Sequence, residues 1–108
     1  MTVLSEQEFR VKSDQALDAA RQQLLPISDA GDFELEFQNG VLHLVFEEPH
    51  ETKFVVSPNA PVRQIWVSAM SRSFKLGWDE GQSTFALNGE PLPTLLSRLA
   101  HEFLAQRT

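Results

Sequence analysis

Hydrophobic residues in this chain follow two different periods. Between Phe9 and Leu24, apolar or small residues recur at Phe9, Ser13, Ala16, Leu17, Ala20 and Leu24. Steps of three and four put them on one face of a helix. Just before them, Ser5-Glu6-Gln7-Glu8 has the form of a capping box. The Ser5 hydroxyl can accept from an N–H three residues on, while Glu8 reaches back to the Ser5 N–H. Pro26 predicts that the helix ends at Leu24 or Leu25, because the residue before a proline is driven out of the α region.

From Asp32 the period shortens to two. Phe33, Leu35 and Phe37 alternate with Glu34, Glu36 and Gln38, as in a strand with one buried and one acidic face. Asn39-Gly40 is a strong hairpin signal, and Val41 to Phe46 reads as the return strand. Further strands are expected at Lys53 to Val56, Arg63 to Ala69, Phe74 to Trp78 and Ser83 to Leu87. Ser57-Pro58-Asn59-Ala60-Pro61 reads as a turn, its prolines barring a central strand. A second helix should begin near Pro91, with Leu92, Leu95, Leu96, Leu99 and Phe103 as its apolar stripe. The predicted fold is a single α+β domain over residues 1–108. It is a two-layer sandwich of helix, six mostly antiparallel strands and helix, with both helices packed on one face of the sheet.

Composition narrows the classes. With 108 residues, 42% hydrophobic and 22% charged, the chain can bury a core without disulfides or metal. The absence of cysteine removes thiolate metal ligands and a cysteine nucleophile. No apolar run approaches a membrane span, and the N-terminal stretch lacks the layout of a signal peptide, so a cytoplasmic protein is expected. The net charge of -6 argues against nucleic acid or an anionic membrane as partner and favours cations or a basic protein surface.

That charge is unevenly placed. Residues 1 to 36 hold eight acids and three bases, leaving only -1 for the rest of the chain. Asp14 and Asp18 share a helical face, Glu34 and Glu36 share a strand face, and Asp29 and Asp32 lie between them. If the helix end lies over the first strand, these groups line one edge of the domain. There they would bind hard cations weakly and attract a basic protein. The alternative is a face that only keeps the protein soluble. In Gln64-Ile65-Trp66-Val67 the alternation turns Ile65 and Val67 to the core, and Gln64 and Trp66 to the open face, making Trp66 a candidate interface anchor. Glu47, Glu48, His50 and Glu51 could meet at a cation but read better as a solvated loop. His43 and His101 lack metal-ligand spacing. There is no phosphate loop, nucleophile elbow or HExxH.

Asn59-Ala60-Pro61-Val62-Arg63-Gln64-Ile65-Trp66-Val67-Ser68 resembles the N-x-x-P-x-x-Q-[IV]-W signature of the frataxin family, whose bacterial members are called CyaY, matching it residue for residue from Pro61 with Asn59 one position nearer the proline. Asn39-Gly40-Val41-Leu42 is similar to its hairpin, and Gly89-Glu90-Pro91-Leu92-Pro93-Thr94-Leu95-Leu96 to the start of its second helix. The resemblance spans about Ser5 to Phe103. It implies a non-enzymatic, monomeric accessory factor of iron–sulfur cluster assembly that binds Fe2+ or Fe3+ weakly through surface carboxylates. It also implies contacts with cysteine desulfurase and the scaffold protein. By position, Asp14, Asp18, Asp32, Glu34 and Glu36 match the family's acidic sites or their strand neighbours, and Trp66 matches its signature tryptophan. Gln64 and Asp29 are the further candidate partner contacts. One departure stands out: Arg21-Gln22-Gln23-Leu24-Leu25-Pro26-Ile27-Ser28 contains no acid where the family carries more. Iron binding should therefore be weaker than in the family, and its ferroxidase or iron-storage activity is not expected here. The competing reading, from another class, is an acidic secretion chaperone or protein-interaction module. A chaperone of that kind would be a dimer that wraps an unfolded segment, without a metal role.

Overall fold

The computed structural model describes residues 4–29 and 33–107, with Asp29 and Arg107 described through their backbones alone. Helix α1 spans Glu6–Asp29. The capping box forms as the sequence predicts: the Ser5 N–H donates to Glu8 Oε1 at 3.0 Å, and the Glu8 N–H donates to Ser5 Oγ at 3.1 Å. The Ser5 N–H, which contributes most, and the Ser5 hydroxyl hold the Glu8 carboxyl below its ordinary value. Phe9, Ser13, Leu17, Ala20 and Leu24 are buried. Ser13 satisfies its hydroxyl by donating to the Arg10 carbonyl at 3.2 Å.

Pro26 does not end the helix; it lies inside α1. Its ring removes a single N–H close to the helix end. One further turn keeps Ile27 packed against the core and lets the Ser28 hydroxyl donate to the Phe33 carbonyl at 2.7 Å. Packing of that turn outweighs the local preference.

Among the described residues the sheet has seven strands in chain order, all antiparallel: β1 Glu34–Gln38, β2 Val41–Phe46, β3 Thr52–Asn59, β4 Gln64–Ala69, β5 Arg72–Asp79, β6 Thr84–Leu87 and β7 Glu90–Pro91. The strand beyond the six predicted is the two-residue β7. Asn39 and Gly40 both take positive φ, 53° and 77°, as a two-residue hairpin of this twist requires. Helix α2 covers Leu92–Leu104.

β3 runs through Pro58, where a turn is expected. Pro58 sits opposite Ile65 of β4, but pairing with β2 stops at Leu42–Val56. Beyond Val56, then, β3 has a partner strand on one side only, and an edge is where a strand tolerates proline. The turn itself is a 3-10 segment, Ala60–Val62, ending at Arg63 in the left-handed region. The Arg63 guanidinium donates to the carbonyls of Ala60 and Leu4.

One face of the sheet is closed. Leu42, Leu44, Phe46, Phe54, Val56, Ile65, Val67, Leu76 and Phe85 are buried together with Leu92, Leu95, Leu96, Leu99 and Phe103 of α2 and the stripe of α1. His43, Val55, Trp66 and Lys75, on the opposite face, are half-buried or exposed. Phe37 departs from the alternation. It points to the helix side, paired with Leu42, yet is 43% exposed. Its strand is the sheet edge and its position is next to the hairpin turn, where α1 provides Asp14 and Asp18 and no apolar cover. Among the described residues, no helix is long and apolar enough to cross a membrane.

Candidate functional site

The acids of the N-terminal third are exposed, but they separate into two groups. Asp14 and Asp18 stand on α1. With Arg21, Phe37 and Gly40 they line an open recess of about 700 Å³. Asp18 is already engaged: Gln22 donates to its Oδ2 at 2.9 Å, and Arg21 Nη1 lies 3.8 Å from its Oδ1. Arg21 thus interrupts the acidic run and also draws on the nearest carboxylate.

Glu34 and Glu36 lie across β1 from these. Period two sends Leu35 and Phe37 toward the helices, so Glu34 and Glu36 must face the open side. There Glu34 is opposite Val45, and Glu36 opposite His43. Glu36 joins Glu47, Glu51, Thr52 and Lys53 around a second recess of about 400 Å³. The expected single line of acids is therefore two groups flanking one strand. Asp32 lies outside the described residues, as does the side chain of Asp29.

The loop residues do not meet at one centre either. Glu47 and Glu51 share the recess with the Lys53 cation, while the His50 ring meets Phe103 edge-on at 5.1 Å. Among the described residues, no three His, Asp or Glu side chains gather closely enough to hold a metal ion. What this edge offers a hard cation is single carboxylates, or the Asp14 and Asp18 pair, all in water. Such sites bind hard cations weakly and reversibly.

The second candidate lies on the open face. Ile65 and Val67 are buried, and Trp66 between them is 37% exposed. Its indole N–H donates to Gln64 Oε1 at 3.0 Å. Lys75, directly opposite on β5, places Nζ 4.9 Å from the ring centroid, a cation–π contact. Gln64 and Lys75 are thus the polar neighbours of the exposed ring. Sequence reasoning named Gln64 and missed Lys75. Lys75 lies between Phe74 and Leu76, so the same alternation turns it to the open face, and pairing this strand with its neighbour across the turn sets it opposite Trp66.

A family model described as a frataxin-like domain matches residues 2–106. The iron–sulfur cluster assembly protein CyaY of Pseudomonas aeruginosa is 37% identical over 90 residues, covering 80% of this chain and 82% of that protein. CyaY of Cupriavidus necator is 31% identical over 104 residues, covering 94% and 92%. Among solved structures, a frataxin from Psychromonas ingrahamii has a TM-score of 0.67 at 22% identity, over 92% of this chain and 90% of that one. At that identity the likeness concerns the fold.

Proposed function

The chain belongs to the frataxin-like domain family, and from that premise we propose that it is an accessory protein of iron–sulfur cluster assembly, without enzymatic activity of its own. Iron, as Fe2+ or Fe3+, is its cargo rather than a resident cofactor. Asp14, Asp18, Glu34 and Glu36 take it up weakly, helped by Asp32. The same acidic edge approaches cysteine desulfurase, and the open face around Trp66, Gln64 and Lys75 approaches the scaffold protein. The protein acts as a cytoplasmic monomer. Family membership leaves the secretion-chaperone reading without support.

The observation that carries this reading is the family match over residues 2–106, joined to carboxylates that are open to a partner. Asp14, Glu34 and Glu36 are exposed and have no ion pair among the described residues. Weak binding suits a carrier, because an ion held by one or two hydrated carboxylates is easily passed on. With no acids from Arg21 to Ser28, and with Asp18 shared by Arg21 and Gln22, affinity falls further. A contact between exposed charges acts mainly on encounter rate and is screened by salt.

Two measurements test it. Pull-down with cysteine desulfurase should succeed at low salt and fade at high salt; a salt-independent or absent contact sinks the edge assignment. Titration with Fe2+ should perturb amide signals of Asp14, Asp18, Glu34 and Glu36 first. Silence there at millimolar iron leaves a role in protein binding alone.

A further inference from the structure

The two edges of the sheet are built differently. At β7 the edge is two residues long, Pro91 has no N–H to offer, and α2 begins at the next residue. Arg98 grips Glu90 there through two hydrogen bonds of 2.9 Å. At β1 the edge is five residues long and contains no proline. Among the described residues, no strand or side chain takes up its outer backbone groups. Natural sheet edges are commonly blunted by charged side chains, by proline or by a bulge; the charges on β1 are acids, which repel a second acidic strand and not a basic one. It also holds a large apolar side chain in the open, since Phe37 is 43% exposed beside Asp14, Asp18 and Arg21.

We propose that β1 is a strand-addition site for an extended segment of a partner protein, with basic residues at alternate positions and apolar residues between them. The pattern follows from the period of two. Residues opposite Glu34 and Glu36 fall on the open face and meet carboxylates. Those opposite Leu35 and Phe37 fall on the helix side and cover exposed apolar surface. Main-chain hydrogen bonds supply affinity and alternate side chains supply specificity. Charge also selects against a second copy of this chain. Antiparallel pairing of two β1 strands centred on Glu36 sets Glu36 against Glu36, and centring on Leu35 sets Glu34 against Glu36. Like charges directly opposite destabilise a pair. The proposal rests on the acidic-edge contact of the preceding section and names its mode.

The test titrates a short synthetic peptide of alternating Lys and Val into the full chain and follows amide hydrogen exchange. Outward-pointing amides within Glu34–Gln38 should slow by about tenfold or more. The same peptide methylated on alternate backbone nitrogens keeps its charge but cannot pair, and should give no protection. Phe37→Lys and Glu36→Lys, each checked for fold by circular dichroism, should weaken binding by about tenfold. Equal protection by the methylated peptide, protection around Trp66 instead of β1, or dimerisation through β1 overturns the proposal. Desulfurase itself separates the two readings. If it binds and leaves the β1 amides unprotected, strand addition fails and the acidic-edge contact stands. If it does not bind while the peptide still protects β1, the edge proposal stands and the desulfurase reading fails.

Discussion

At one end of the sheet Phe85 is fully buried, with Trp78 5.3 Å away and Phe9 5.6 Å away, both meeting it edge-on. Lys12 of α1 lies over Trp78, with Nζ 5.5 Å from the ring centroid. Close by, Glu90 and Arg98 tie β7 to α2. At the other end, a phenylalanine of the same size and on the same face, Phe37, stands 43% exposed with two aspartates for neighbours. Both residues come from alternating strands, and both alternations point inward. The difference is what lies over them, an apolar stripe in one case and the polar side of α1 in the other. The closed end contributes stability, and the open end leaves backbone, charge and apolar surface available to a partner.

The largest test of that contrast is in the core. Phe85→Ala should cost about 3–5 kcal/mol in urea unfolding, the range for truncating a buried aromatic. Phe37→Ala should cost under about 1 kcal/mol, because little buried area is lost. Equal losses would mean that the β1 end is packed as tightly as the other and would break the comparison. Next in size is Trp66→Ala. It should leave unfolding free energy within about 1 kcal/mol of the parent and weaken the scaffold complex by about tenfold or more, as loss of an anchor does. A large loss of stability instead would make Trp66 a core residue.

Smaller effects follow from charge. Glu34→Gln with Glu36→Gln should leave stability nearly unchanged and flatten the salt dependence of desulfurase capture, read by pull-down across a salt series. The smallest difference lies at the closed end. The Arg98 hydrogen bonds hold the Glu90 carboxyl below its ordinary value. Its folded-state value is thus lower than its unfolded one, so its contribution is present at neutral pH and is lost as pH falls through the folded value. Between about pH 6 and about pH 3, wild type should lose slightly more stability than Glu90→Gln, measured by thermal unfolding. A steeper acid loss in the variant would refute the clamp.

Most of the elements could be read from the chain because they are decided within a few residues. The capping box needs only Ser5 and Glu8, the hairpin only Asn39-Gly40, and the outward turn of Trp66 only the alternation with Ile65 and Val67. The misreadings occurred where a distant element intervened. Pro26 and Pro58 are helix and strand breakers by local rule, yet Pro26 stays in α1 through the packing of its last turn. Pro58 stays in β3 because β2 has already ended. That Asp14, Asp18, Glu34 and Glu36 are exposed follows from their local periods, but their division between two faces does not, since it depends on how α1 lies across β1.

The sequence by itself determined the order of elements, the face each residue occupies on its own element, and the concentration of charge in the first third. Those follow from local periods and local capping chemistry. Only the tertiary structure decided which faces are covered. It left Phe37 open and Phe85 closed, set the acids on both sides of one edge strand, and placed Lys75 over Trp66. Each of those outcomes depends on residues far apart in the chain meeting in space, which a period of two or 3.6 cannot specify.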